Sequence, residues 1–253
     1  MIAGLKELLV YFGKIAILFF EIIHYILYGK KRIRNTVYQM ITLGAEGLPI
    51  VSLIALFTGI IMGFQTSYQL EKISSGIHIA SLVVLSLTRE LGPMLTSLIV
   101  AGRSGASISA EISSMKVTEQ IDALKSLGTD PVDYLATPKF VALVLTLPLL
   151  VLYSDLVGIL GGYIVGATKL NISFNLYMRM TIESLHLKDI LTGLVKAGVF
   201  GAIIGVVCCH EGFSSKGGAT GVGKSVINSV VRSFLLILTA DCILTALFYL
   251  LIP

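Results

Sequence analysis

Five stretches of this chain are apolar for at least the roughly 20 residues that an α-helix needs to cross about 30 Å of hydrocarbon. They run from about Leu48 to Leu70, Ile79 to Ala101, Pro138 to Val165, Ile190 to Cys209, and Val226 to the C-terminus. No other feature narrows the fold as much. Hydrophobic residues make up 55% of the 253 and charged residues 13%, against about 25% in ordinary soluble domains. Mean hydropathy is +0.89. A soluble core would need several long all-apolar helices inside one small globule. The chain is therefore expected to be an all-α integral membrane protein. Its net charge of +4 reads as a topology signal, and no nucleic-acid partner is expected.

Residues 1–28 are apolar too, but Glu7, Lys14 and Glu21 recur every seven residues along one slowly drifting stripe, with Lys6 beside them. Such a helix fits the membrane–water interface, apolar side down, with a tilted span as the competing reading. The cluster Lys30, Lys31, Arg32 and Arg34 follows where a cleavage site would otherwise stand, and should stay in the cytoplasm. The expected organisation is an interfacial N-terminal helix with its basic segment over 1–35, then a five-span domain over 36–253. Basic residues agree with that count. The inner segments hold eleven, from Lys30 to Arg232, and the outer loops hold only Lys72, Lys169, Arg179 and Lys188. Five spans with the N-terminus inside put the C-terminus outside.

Within the first span, Gly59 and Gly63 form a G-x-x-x-G face that permits close helix approach. Its far end, Gln65, Tyr68 and Gln69, is polar enough to anchor at the interface or line a cavity. The second span carries adjacent charges, Arg89 and Glu90, each costing roughly 2.5–3.5 kcal/mol unpaired near the bilayer centre. They point about 100° apart, so at least one should face protein or water. Asp155 or Asp241 could pair with Arg89, and Lys196 with Glu90. Lys196 could instead snorkel from the outer end of the fourth span. Pro93 withholds a backbone donor and frees the carbonyl of Arg89.

Beyond that span come Arg103, a small-residue run from Ser104 to Ala110, and a polar, helix-permitting stretch. There Glu111, Lys116, Glu119, Gln120, Asp122 and Lys125 interleave with Ile112, Met115, Ile121 and Leu124. A cytoplasmic amphipathic helix at about 106–127, stopped by Gly128 and Pro131, needs something outside the bilayer to dock on. The outward stretch from about Thr168 to Asp189 reads as a moderately long loop. Its Asn171-Ile172-Ser173 matches a glycosylation pattern too short to carry meaning by itself.

Several patterns are expected to be silent. Cys208, Cys209 and Cys242 show neither disulfide nor metal spacing, and no nucleophile–base set such as HExxH or GxSxG occurs. Gly218 to Ser225 satisfies the phosphate-binding pattern G-x-x-x-x-G-K-[ST], but that chemistry needs a strand before it and a strand-borne acid nearby. A flexible inner loop from Glu211 to Lys224, leading into the fifth span, is the expectation instead. No catalytic residue, metal site or cofactor is expected in this chain.

The segment RELGPMLTSLIVAGRSGASISAEISSMKVTEQIDAL resembles the signature region of the MlaE/YrbE-type permeases, the membrane subunits of MCE-associated lipid-transport ABC systems. The resemblance continues through Thr129-Asp130-Pro131 and Pro138 to Gly162, and returns at GGATGVGKSVINSVVRSFLLILTADCILTALF. Lys224 departs from the family, which more often has Arg there. The resemblance implies a homodimeric permease in the bacterial inner membrane. Its expected partners are a cytoplasmic ABC ATPase dimer that holds the ATP and Mg²⁺, a periplasmic MCE-domain protein, and room for a small accessory cytoplasmic protein. It implies phospholipid moving between the inner membrane and the MCE partner, in a cavity lined by Gln65, Tyr68, Gln69, Arg89 and Glu90. The ATPase-coupling residues are then Glu111, Met115, Lys116, Glu119, Gln120 and Asp122. The alternative from another class is a stand-alone ion-coupled carrier using Glu90, Asp155, Lys196 and Asp241 as a proton relay.

Overall fold

A computed structural model describes residues 2–30, 32–71 and 79–251. Lys31 of the basic cluster lies outside that range. So do Lys72, Ser74, Ser75 and Gly76, which the sequence places in a short polar turn between the first two spans. The described chain is helical throughout, without a strand, and six of its segments are long and apolar enough to cross a membrane. One of the six, Leu9–Tyr28, lies near the N-terminus.

Helix α1 is Ile2–Tyr28 and α2 is Ile33–Leu43; a 3₁₀ turn, Ala45–Gly47, joins α2 to α3, Leu48–Glu71. Helix α4 runs unbroken over Ile79–Val117, followed by the short α5, Gln120–Ser126, and by α6, Val132–Leu170. Helix α7 is Phe174–Ser184, α8 is Leu187–Ser214 and α9 is Gly218–Leu251. The membrane helices run longer than their apolar runs. Arg103 and the Ser104–Ala110 run, expected in a loop, belong to α4, because small residues let a helix continue while neighbours pack close. Gly105 faces Cys208 of α8, and Gly212 of α8 faces Ile112.

Two further expectations are corrected. The outward stretch after α6 is no simple loop: it folds into α7, which buries Tyr177 completely against Val83 and Gly162. The stretch from Glu211 to Lys224 is no flexible loop either. Only Ser215–Gly217 leave helical geometry, and Gly217 and Gly218 make the reversal at φ +92° and +68°. The phosphate-binding look-alike thus lies in the first turns of α9. Its Ser225 is buried, donating to the carbonyl of Glu211 and bonded to Ser109 and Ser113 of α4 at 2.9 Å each. The element before the look-alike is α8, a helix, where a phosphate-binding loop needs a strand.

The central packing is α3 against α6. A Cβ on Gly59 would stand 1.9 Å from the carbonyl oxygen of Gly158, and one on Gly161 2.4 Å from that of Leu56. The G-x-x-x-G face of α3 therefore meets the glycine-rich second half of α6 backbone to backbone. In lipid, where the hydrophobic effect between helices is absent, that close contact is the main source of association.

Helix α1 lies across one end of the bundle. The Tyr11 ring meets the His210 ring at 5.4 Å and the Arg232 guanidinium at 4.3 Å, Phe19 meets Phe140 at 6.0 Å, and Gly29 abuts Asp133. Tyr11 and Gly29 are about 27 Å apart along the helix, yet their partners sit in the last turns of α8, the first turns of α6, and beside Glu211. This is also the end that carries α5.

Candidate functional site

The charged residues that the sequence singles out converge at the opposite end. Helix α4 loosens into a π-helical turn over Leu87–Leu91, where the N–H of Gly92 reaches back to the carbonyl of Leu87. One extra residue in the turn splays Arg89 and Glu90, and both find partners on α8. Arg89 pairs with Asp189 at 2.6 Å, and Glu90 pairs with Lys196 at 2.6 Å. Asp189 and Lys196 are seven residues apart, on the same face of α8 and about 10 Å along its axis. Adjacent charges on one helix are thereby served by a single face of the next.

Lys196 is the centre of the cluster and is 1% exposed. Its ammonium donates to Glu90, to the Thr245 hydroxyl at 2.7 Å and to the carbonyl of Arg89 at 3.1 Å, and pairs with Asp241 at 2.9 Å. That carbonyl is free to accept because Pro93, four residues on, has no N–H. Of its two readings, Lys196 takes the paired one: it is a buried hub and does not snorkel. A lysine in a low-dielectric interior holds its charge only where paired carboxylates and acceptors replace water.

Of the sequence-level pairings, Lys196 with Glu90 stands. Asp241 goes to Lys196, not to Arg89, and Arg89 takes Asp189, which sequence reasoning missed. The missed signal was the spacing His186-x-x-Asp189 at a helix start: the Asp189 carboxylate also accepts the N–H of His186, capping α8. Asp155 stands apart, 7% exposed, with one carboxylate oxygen lacking a hydrogen-bond partner among the described residues. It lies against Gly92, where any side chain would collide with it.

A cavity of about 300 Å³ opens onto this cluster, lined by Arg89, Glu90, His186, Lys188, Lys196 and Thr245 among others. Arg89 and Glu90 keep side-chain exposures of 56% and 41%, so each is both paired and presented. Gln65, Tyr68 and Gln69 are exposed on α3 and do not line this cavity.

At the α5 end, the expected docking helix is broken in two. Glu119 adopts left-handed geometry, φ 59°, between α4 and α5. Helix α5 then buries Ile121, half-buries Leu124, and turns Gln120, Asp122 and Lys125 outward. Gly128 closes it: the N–H of Thr129 bonds the carbonyl of Leu124 at 3.0 Å, and that of Gly128 bonds Lys125 at 2.9 Å. Met115 packs against the core, Glu111 pairs with the buried Lys139 at 2.7 Å, and Lys116 donates to the carbonyl of Phe213. Glu119, Gln120 and Asp122 face outward; Glu111 and Lys116, though bonded, are exposed as well, and Met115 is the coupling candidate turned inward. Groups of His, Cys, Asp and Glu able to hold a metal are absent among the described residues.

Helices of membrane length, with paired charges gathered at one end of the bundle beneath an open cavity, define the class: a multi-pass membrane protein. The chain belongs to the MlaE permease family, whose description, Permease MlaE, matches residues 36–247. It is 47% identical over 211 residues to a "Probable ABC transporter permease protein" of Rickettsia typhi, covering 83% of this chain and 82% of that one. A protein of the same description from Synechocystis is 36% identical, covering 96% and 94%. TRIGALACTOSYLDIACYLGLYCEROL 1 of Arabidopsis thaliana, a chloroplastic protein, is 37% identical over 90% of this chain and 65% of its own length.

Proposed function

We propose that this chain is the non-catalytic membrane subunit of an ABC system that moves phospholipid between the bacterial inner membrane and a periplasmic MCE-type partner. Two copies would form the permease. A cytoplasmic ATPase dimer would bind α5 and the exposed edge of Glu119, Gln120 and Asp122. The α5 end would then be cytoplasmic and the charge cluster would face the periplasm, with α1 lying in the inner interface.

The observation that carries this reading is the cavity over Arg89, Glu90 and Lys196. Its exposed cations, Arg89 and Lys188, suit a lipid phosphate, and the apolar end of α9 beside it, with Tyr249 and Leu250 about 80% exposed, suits acyl chains. The family and the printed names of its relatives support an ATP-driven partner. The relay alternative loses support because Glu90, Lys196 and Asp241 are closed on one another, while Asp155 sits apart.

The test is reconstitution with the ATPase in proteoliposomes, following transfer of a labelled phospholipid. The double change Arg89→Ala, Asp189→Asn, which leaves no buried carboxylate unpaired, should cut ATP-dependent transfer at least tenfold with little change in folding. Transfer that runs on a proton gradient without ATP would overturn the reading.

A further inference from the structure

A second cavity, about 710 Å³, lies at the α5 end between α1 and the corner of α8 and α9, apart from both the charge cluster and the docking helix. Lys6, Val10 and Lys14 line it from α1 at i, i+4 and i+8, one stripe of the helix with the backbone of the two lysines about 12 Å apart along the axis. Both lysines are exposed, and neither has an ion-pair partner among the described residues. The facing wall carries Arg232, but Glu211 neutralises it at 2.5 Å, and the Tyr11 ring covers it. The surplus charge of the cavity is therefore the two lysines. Beyond His210 and Ser214, which are bonded to each other at 3.4 Å, its remaining walls are apolar: Val10, Phe12, Leu235 and Leu236, with Leu235 61% exposed.

Two unneutralised amines beside an apolar wall that continues outward match a phosphate attached to acyl chains better than a free anion. We propose that this cavity binds the phosphate of an anionic phospholipid drawn from the surrounding leaflet, at a site separate from any transported lipid. The bound lipid ties α1 to α8 and α9, so the anionic content of the leaflet sets how firmly α1 is held. This rests on α1 lying at the membrane surface, not on the transport reading, and it is tested by equilibrium binding without ATP.

The chain contains no tryptophan, so Phe12→Trp, at a half-exposed cavity position, gives a single fluorophore. The full-length variant is reconstituted in phosphatidylcholine vesicles doped with brominated phosphatidylglycerol or, at the same fraction, brominated phosphatidylcholine. The expected result is stronger quenching by phosphatidylglycerol, with the binding preference falling about fivefold for each of Lys6→Gln and Lys14→Gln. Lys125→Gln, exposed at the same end but outside the cavity, leaves it unchanged. Equal quenching by the two lipids would overturn the proposal, as would a preference that survives the double Lys6→Gln, Lys14→Gln change. Loss of the preference on adding inorganic phosphate at constant ionic strength would reassign the site to a free anion.

Discussion

Lys196 shows how one side chain can decide the interior of a membrane protein. It links three helices: the carboxylate of Glu90 and a carbonyl on α4, its own α8, and Asp241 with Thr245 on α9. Lys196→Met should leave two carboxylates facing each other without a cation, and cost about 3–5 kcal/mol. Thermal unfolding in detergent measures it, and the double change with Asp241→Asn should recover part of the loss. Glu119 calls for a different experiment. A non-glycine residue in left-handed geometry is strained by roughly 1–2 kcal/mol, so Glu119→Gly should hold or raise stability. Whether it also keeps coupled ATP hydrolysis separates a backbone role from a carboxylate that touches the ATPase; Glu119→Lys should impair coupling only in the second case.

The helices are held by contact types that suit lipid. Where α3 crosses α6, glycines remove the side chains and the backbones touch. Gly59→Leu has no room to relax against the Gly158 carbonyl and should unfold the chain or abolish its recovery from membranes. Gly198→Ala on α8, where an added Cβ meets nothing within 4 Å, should be neutral or stabilising by up to about 1 kcal/mol. Leu87–Leu91 is one of three π-helical turns among the described residues, with Ala101–Gly105 in α4 and Val132–Ala136 at the start of α6. Each presents a charge that pairs with another element: Arg89 with Asp189, Arg103 with Glu46, and Asp133 with Arg32. An extra residue in a turn redirects a side chain without ending the helix, which is how charges inside long apolar helices are aimed at distant partners.

For the whole molecule the expected orientation is directly measurable. With native cysteines replaced, Lys125→Cys at the α5 end should react with an impermeant maleimide only from the cytoplasmic side. Glu183→Cys, exposed on α7, should react in intact spheroplasts. Both residues labelling from one side would invalidate the five-span arrangement.

The hydropathy of the runs, the helix-stopping Gly128, the glycine face of α3 and the carbonyl released by Pro93 were all legible in the sequence, because each is a local consequence of residue type. Helix ends were less so: α4 and α9 continue through stretches rich in glycine and serine because neighbouring helices, not propensity, satisfy and bury them. The partners of the charges were decided by tertiary structure alone. A charge in an apolar helix announces that it needs a counterion, but the π turn at Leu87–Leu91 and the seating of α8 determine that Arg89 meets Asp189 and that Lys196 gathers Glu90 and Asp241. Local chemistry sets which groups cannot be left alone in lipid; only the packing of helices distant in sequence sets which of them meet.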